Sequence, residues 1–308
     1  MRILCATDLL PSGEAAIERA ALLASQLEAE LTILHVASPK ESAQTRERNL
    51  RVARQCAERR TNPPHSSTRR PALVTVPAGD PARVILEIVA QSNARLLILG
   101  PHRESPSPVA LEGTVAAKAL VARLCPVLVV RTAVQDSYRR VLLALDFSEA
   151  SLLAVRAAES LVLTPEADPT VVHAHRPPLR GMLQLMDPRL DSVDQYGDDW
   201  TREANDAVRK LLRYESANPT RYGIRIEREP AASGILHAID RCAPDLLVMG
   251  TRGAGPLRRA LGGSVANRVL HDTNCDVLIV PEGSFGSSRS KLEFRAQHPR
   301  EAARGLWP

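Results

Sequence analysis

The sequence predicts two tandem α/β domains, each a doubly wound layer in which helices flank a parallel sheet. Its 308 residues and 44% hydrophobic content are enough for two compact domains, each with its own core. Short apolar runs alternate with helical patterns along the whole chain, which is typical of βαβ units. The second half of the chain also repeats the first, which indicates a duplicated unit.

The repeat is visible in three pairs of matching segments. The matches are Arg2–Asp8 with Arg140–Asp146, Leu96–Gly100 with Leu246–Gly250, and Cys125–Val130 with Cys275–Val280. The spacing between matches grows from 138 to 150 residues, so the second copy has a longer middle, between His173 and Pro230. We therefore expect domains at 1–133 and 138–283, followed by a flexible basic tail at 284–308.

Each copy is predicted to contain five strands, because its apolar runs are short and bounded by polar, Pro or Gly residues. In the first copy the strands are predicted at 2–7, 31–36, 72–77, 95–100 and 126–131, with helices at about 12–28, 42–60, 80–92 and 113–123. In the second copy they are predicted at 140–145, 169–174, 224–229, 245–250 and 275–280, with a long middle helix at about 191–215. Helix starts are indicated by Ser12 with Glu14, Asp80-Pro81 and Ser148-Glu149.

Composition argues against several classes of protein. The formal net charge of +5 suggests nucleic acid, but much of the excess lies in the tail, and aromatic residues for base stacking are only 3%. No apolar run approaches the roughly 20 residues of a membrane helix, and no secretory signal is recognised. The five cysteines are scattered and lack a C-x-x-C pair, which favours reduced thiols and a cytoplasmic location.

A glycine-rich loop after the fourth strand of the second copy carries the strongest chemical signal. Gly250 and Gly253 allow positive φ and close approach of a ligand to the backbone. Gly262-Gly263-Ser264 opens the next helix, whose N-terminus favours anions, and Arg252 adds a cation. This arrangement suits a polyphosphate.

Asp146, at the end of the first strand of the second copy, is expected to face this loop if strands one and four are neighbours. Its carboxylate could accept hydrogen bonds from ribose hydroxyls or hold Mg²⁺ on the phosphates. It could equally cap the helix that starts near Ser148, and the two roles are compatible.

The spacing Gly250-x2-Gly253-x9-Gly263-Ser264, the strand-one aspartates and the pairs His35-Val36 and His173-Ala174 resemble the universal stress protein family. The resemblance covers nearly the whole of both copies. It implies five-stranded sheets in the order 3-2-1-4-5 and two such units paired through their fifth strands. It also implies ATP held near Ala174 and Met249, with phosphates on the glycine loop. The resulting candidate site comprises Asp146, Ala174, Met249, Gly250, Arg252, Gly253, Gly263, Ser264, Val265 and Ala266.

The first copy departs from this motif. Arg103 stands where the second motif glycine is expected, Pro101 removes an amide donor, and Glu112 lies beside the expected phosphate position. Arg103 could serve another anion, but a filled, inactive pocket is the favoured interpretation. His35 and His173 are expected to be structural, since no metal ligands converge on them in the sequence.

The leading hypothesis is a tandem universal stress protein, a stress-response regulator that binds ATP in its second domain and acts through an unidentified protein partner. One alternative is a slow ATPase or autophosphorylating enzyme with Asp146 as Mg²⁺ ligand. Another is a module that binds a small molecule or partner through the apolar stretch Met182–Met186. We expect the two domains to pair within the chain, and the sequence leaves open whether the protein also forms a homodimer.

Overall fold

The computed structural model describes residues 1–61, 72–101, 114–175, 193–251 and 265–284, which form one ten-stranded sheet. The strands are β1 (Arg2–Ala6), β2 (Glu30–Leu34), β3 (Leu73–Thr75), β4 (Leu96–Leu99), β5 (Val127–Val129), β6 (Arg140–Ala144), β7 (Asp168–Ala174), β8 (Gly223–Glu227), β9 (Leu246–Thr251) and β10 (Asp276–Pro281). All ten strands predicted from apolar runs begin and end within two residues of these bounds, although β3 and β5 have only three residues each.

Strand order confirms two doubly wound units. The sheet runs β3-β2-β1-β4-β5-β10-β9-β6-β7-β8, so each half has the order 3-2-1-4-5 with parallel neighbours. The halves meet where β5 pairs antiparallel with β10, with Val127 opposite Ile279 and Val129 opposite Val277. This is the intramolecular pairing of fifth strands that the family resemblance implied, and it removes two sheet edges from solvent.

Helices cover both faces of the sheet. The described helices are α1 (Pro11–Gln26), α2 (Ala43–Thr61), α3 (Pro81–Ser92), α4 (Val115–Ala122), α5 (Glu149–Leu161), α6 (Val193–Glu215), α7 (Ala231–Cys242) and α8 (Val265–Asp272). One buried apolar cluster joins α1, α2, α5 and α6 to the sheet, and another joins α3, α4, α7 and α8 to its other face. Strands buried on both sides explain why their sequences are apolar without alternation.

Two of the three helix starts indicated by the sequence have the expected caps. Asp80 accepts a hydrogen bond from the Arg83 amide at the start of α3, and Ser148 accepts one from the Ser151 amide at the start of α5. The expectation for Ser12 is wrong, because Ser12 lies inside α1 and Leu10 is the N-cap residue, without a side-chain cap. The start of α1 is marked instead by Pro11 in the first turn, where the missing amide hydrogen costs no hydrogen bond.

The connection between the halves is held by a buried carboxylate. Asp276, at the start of β10, has no exposed surface, and its Oδ1 accepts hydrogen bonds from the backbone amides of Arg131 and Thr132 and from the Thr132 hydroxyl. Its Oδ2 accepts one from the Tyr138 hydroxyl at 2.7 Å. The guanidinium of Arg19 stacks on the Tyr138 ring at 3.8 Å. Residues 131–138 are therefore a fixed joint between the two halves.

Candidate functional site

The described part of the candidate site lies at the carboxyl ends of β6, β7 and β9. Ala144 of β6 stands opposite Met249 of β9 on one side and Val172 of β7 on the other. Asp146 follows β6 by two residues, and Gly250 follows Met249. This edge is where the strand order reverses, which is the usual ligand position in open α/β sheets.

Six of the ten candidate residues can therefore be placed, and four cannot. Asp146, Ala174, Met249, Gly250, Val265 and Ala266 are described. Arg252, Gly253, Gly263 and Ser264 lie outside the described residues, as do the apolar stretch 182–186 and nearly all of the tail, 285–308. The crossover from β9 to the parallel neighbour β10 runs through α8, so the α8 N-terminus lies towards the same sheet edge. Ala266 of that helix packs against the cluster that contains Met249.

Asp146 is an exposed residue in a tight turn before α5. Its Oδ1 accepts hydrogen bonds from the amide and the hydroxyl of Ser148, the N-cap residue of α5. Asp146 thus supports the helix start, as one of its two predicted roles required. Asp8 makes the matching turn in the first half, where its Oδ1 accepts from the Leu10 amide at 3.0 Å.

The residue after each aspartate has a left-handed backbone that the sequence does not suggest. Leu9 has φ of 60° and Phe147 has φ of 59°. Neither is Gly, Asn or Asp, so each conformation costs on the order of 1 kcal/mol and must be imposed by surrounding contacts. Phe147 is fully buried against His173, with ring centroids 4.7 Å apart. The packing of Phe147 therefore fixes where the chain turns at Asp146.

Gly250 has a packing role that differs from the one expected. A glycine allows positive φ, but among the described glycines only Gly283 has it. A Cβ on Gly250 would lie 2.3 Å from the carbonyl carbon of Ala150 and 2.4 Å from the Ser151 amide nitrogen. A glycine is therefore needed here so that the first turn of α5 can pack against β9. This contact brings the α5 N-terminus to the sheet edge beside Asp146.

Ala174 is held in a similar close contact. A Cβ on Gly234, in the first turn of α7, would lie 2.7 Å from the Ala174 Cβ. The start of α7 consequently packs directly against the end of β7, and both elements border the same edge as Met249.

The histidines that close the second strands hydrogen-bond to backbone. Nδ1 of His173 lies 2.8 Å from the Leu145 carbonyl oxygen, and Nδ1 of His35 lies 3.0 Å from that of Thr7. Because a carbonyl only accepts, each Nδ1 carries the proton. Burial lowers the pKa of His173, so the ring is neutral near pH 7. These contacts support the predicted structural role.

His175 extends this histidine position into an aromatic stack. Its ring lies 5.7 Å from that of His173 and 5.6 Å from that of Trp200 in α6. Desolvation, with further contributions from His173 and Arg228, lowers the pKa of His175 to about 4. Neither His175 nor Trp200 stands out in the sequence, because the two residues are distant along the chain and belong to no recognisable motif.

The first half contains a cavity of about 360 Å³ at the equivalent place, at the carboxyl ends of β1, β2, β4 and β5. The described residues alone do not show whether the loop after β4 fills this cavity, so the filled pocket stays a prediction. Small residues at its base, including Ala6, Gly13 and Ala116, leave the volume open. Arg103 and Glu112, the residues on which that expectation rested, lie outside the described residues.

Two other kinds of site are absent from the described residues. No group of three or more His, Cys, Asp or Glu side chains there could hold a metal ion. No helix in the described ranges has the length and apolar character needed to cross a bilayer.

Comparisons with known proteins agree with the duplicated fold. The model of the universal stress protein family matches residues 1–131 and again 137–281. Universal stress protein MJ0531 of Methanocaldococcus jannaschii is 26% identical over 47% of this chain and 84% of its own length. Stress response protein NhaX of Bacillus subtilis is 30% identical over 46% of this chain and 96% of its own. The crystal structure of a universal stress protein from Archaeoglobus fulgidus superimposes with a TM-score of 0.67 at 19% identity, over 92% of this chain and 96% of that one.

Proposed function

Because the chain belongs to the universal stress protein family over both of its halves, we propose that it is a regulatory protein that binds ATP in its second half. The observation that carries this proposal is the convergence of Asp146, Ala174, Met249 and Gly250 at one sheet edge, next to the start of α8. The glycine loop from 250 to 264 connects the strand to that helix. A loop of this kind at a helix N-terminus provides amide donors for phosphate.

The adenosine part of the ligand would lie against the ends of β7 and β9. Ala174 there is half-buried and Met249 is buried, so the apolar part of the site would be supported by the core. Asp146 is close enough to the α5 N-terminus to share its favourable potential, and its exposed carboxylate suits ribose hydroxyls or Mg²⁺. Bound Mg²⁺ would neutralise phosphate charge, while Gly253, Gly263, Ser264, Val265 and Ala266 would hold the phosphates.

The proposed output is regulatory. ATP held between β9 and α8 would change the surface that a partner protein meets. Such a role requires binding and does not require turnover, which is why phosphate release is a useful second measurement.

Calorimetric titration of the full chain with ATP and Mg²⁺ tests the proposal. One site per chain is expected, abolished by Gly263→Asp because a carboxylate beside the phosphates repels them. The matched control is Gly113→Asp, at the equivalent position of the first half, which should leave the titration unchanged. Two equal sites, or loss of binding only in Gly113→Asp, would contradict the proposal.

Asp146→Asn separates the regulatory proposal from a slow ATPase. Asparagine keeps the oxygen that accepts from Ser148 but loses the charge, so we expect ATP affinity in Mg²⁺ to fall about tenfold, equivalent to about 1.4 kcal/mol. No phosphate release beyond background is expected from either protein. Release that disappears in Asp146→Asn would favour the enzyme instead.

A further inference from the structure

We propose that the cavity in the first half is a binding site for an uncharged, mainly apolar small molecule. Its volume of about 360 Å³ is within the range of sites for small ligands, about 300–1,000 Å³. It opens at the ligand-binding edge of the first-half sheet. The site is separate from the proposed ATP site, so the two proposals can fail independently.

The walls of the cavity are mostly aliphatic. They are formed by Leu34, Val36, Ile85, Leu99, Val129 and Leu270, with Ala6 and Ala116 among the smaller residues. Leu34, Ile85, Leu99, Val129 and Leu270 are themselves buried, so their positions are fixed by the core. Burying an apolar ligand against such walls stabilises the complex by about 25 cal/mol for each Å² removed from water.

The polar side chains that line the cavity make hydrogen bonds within the protein, and the exposed carboxylate of Asp8 is among them, since its Oδ1 accepts from the Leu10 amide at 3.0 Å. Thr114 Oγ1 accepts a hydrogen bond from the Ala117 amide at 3.1 Å, and Thr7 Oγ1 accepts one from the Leu9 amide at 3.1 Å. Nδ1 of His35 donates to the Thr7 carbonyl. A ligand that needed strong hydrogen bonds would have to compete with these contacts, whereas an apolar ligand would not.

The positive charge at the cavity is also engaged. Arg131 donates from Nη1 to the Thr273 carbonyl at 2.7 Å and from Nη2 to the Leu270 carbonyl at 2.6 Å. Both carbonyls belong to the C-terminal end of α8, where the helix dipole favours a cation. Freeing Arg131 for a phosphate would break these two hydrogen bonds and leave the end of α8 without its cation.

Backbone donors for phosphate are reduced as well. Pro101 lines the cavity directly after β4 and has no amide hydrogen, whereas the equivalent residue of the second half is Thr251. The carboxylate of Asp8 also lines the cavity and would repel an anion. The described lining therefore suits a neutral ligand better than a triphosphate.

The ligand would touch both halves of the chain. Leu270 comes from α8 of the second half and Arg131 from the joint between the halves, and both line the cavity of the first. A molecule in this site is therefore held by residues that would not be together in an isolated first half.

The probe for this site is N-phenyl-1-naphthylamine, a neutral fluorophore whose emission rises in apolar surroundings. Titration into the full chain with saturating ATP is expected to give one saturable site per chain. Val36→Phe fills the cavity from the segment after β2, and Val115→Phe fills it from α4. Each should weaken probe binding at least tenfold. Val121→Phe is the matched control, because Val121 is exposed on α4 and is not among the residues that line the cavity, and it should leave the probe affinity unchanged.

Methyl NMR of the unmodified chain locates the probe without relying on any variant. Shifts are expected at methyl groups of Leu34, Val36 and Leu270. The proposal is overturned if the probe does not bind, if shifts fall elsewhere, or if both filling variants fold and bind normally. It is also overturned if ATP displaces the probe in Gly263→Asp, where the second-half site is blocked, because the cavity would then take nucleotide.

Discussion

Removing the charge of Asp276 is expected to destabilise the whole chain, because this carboxylate holds the joint between the halves. Asp276→Asn keeps an oxygen for the three hydrogen bonds from Arg131 and Thr132. It removes the charge opposite Arg19, whose Nε lies 3.8 Å from Oδ2 and whose side chain is only 4% exposed. Removing one partner of a buried ion pair typically lowers the free energy of unfolding by about 3–5 kcal/mol.

The lower end of that range applies here. Arg19 keeps a hydrogen bond from Nη1 to the Asp136 carbonyl at 2.8 Å and its stacking on Tyr138, so its charge is not wholly unpartnered. Burial raises the pKa of Tyr138 well above its usual range, and its hydroxyl can rotate to accept from the new amide. We therefore expect a loss of about 3 kcal/mol in the free energy of unfolding.

Urea unfolding followed by circular dichroism measures this loss. Asp272→Asn is the matched control: Asp272 is exposed in α8, and its ion pair with Arg268 at 3.8 Å is worth about 1 kcal/mol or less. The reasoning is refuted if Asp276→Asn costs no more than Asp272→Asn. Separate transitions for the two halves in Asp276→Asn would be consistent with a weakened joint.

Three further predictions rest on packing, protonation and thiol burial. Gly250→Ala should lower the free energy of unfolding by at least about 1–3 kcal/mol, because the new Cβ would meet rigid backbone. Gly223→Ala should lower it less, because its Cβ would meet only the Thr170 side chain at 3.0 Å. Equal urea midpoints for the two variants would disprove this prediction. The lowered pKa of His175, about 4, means that its contribution to stability is complete above pH 6.5 and is lost as pH falls towards 4. His175→Phe should therefore lose less stability than the unmodified chain between pH 7.5 and 5, and identical losses would contradict the assignment. Burial raises the pKa of the other thiols, so iodoacetamide at pH 8 should label Cys56 and Cys242 first, as peptide mass spectrometry would show.

Most of the fold could be predicted because it depends on patterns that repeat. Strands buried on both faces leave apolar runs such as Leu96–Leu99, and the duplication makes each run appear twice. Ala174 and Met249 could be placed at the carboxyl ends of strands because both lie in or at the end of predicted apolar runs, although their link to a ligand came from the family resemblance.

The features that could not be predicted depend on contacts between distant segments. Asp276 lies in a strand that reads as apolar, and its donors are about 140 residues away in the sequence. Phe147 has positive φ although its residue type disfavours it, because tertiary packing overrides local preference. The first-half cavity could not be predicted either, because the residues of a loop do not show how much volume the core leaves beneath that loop.

The count of ATP molecules bound per chain tests the central claim most directly. Equilibrium dialysis of the full chain against radiolabelled ATP with Mg²⁺ gives that number without any variant. The proposed function predicts saturation at one ATP per chain, held by the second half. Saturation at two, or no binding at millimolar ATP, would contradict it.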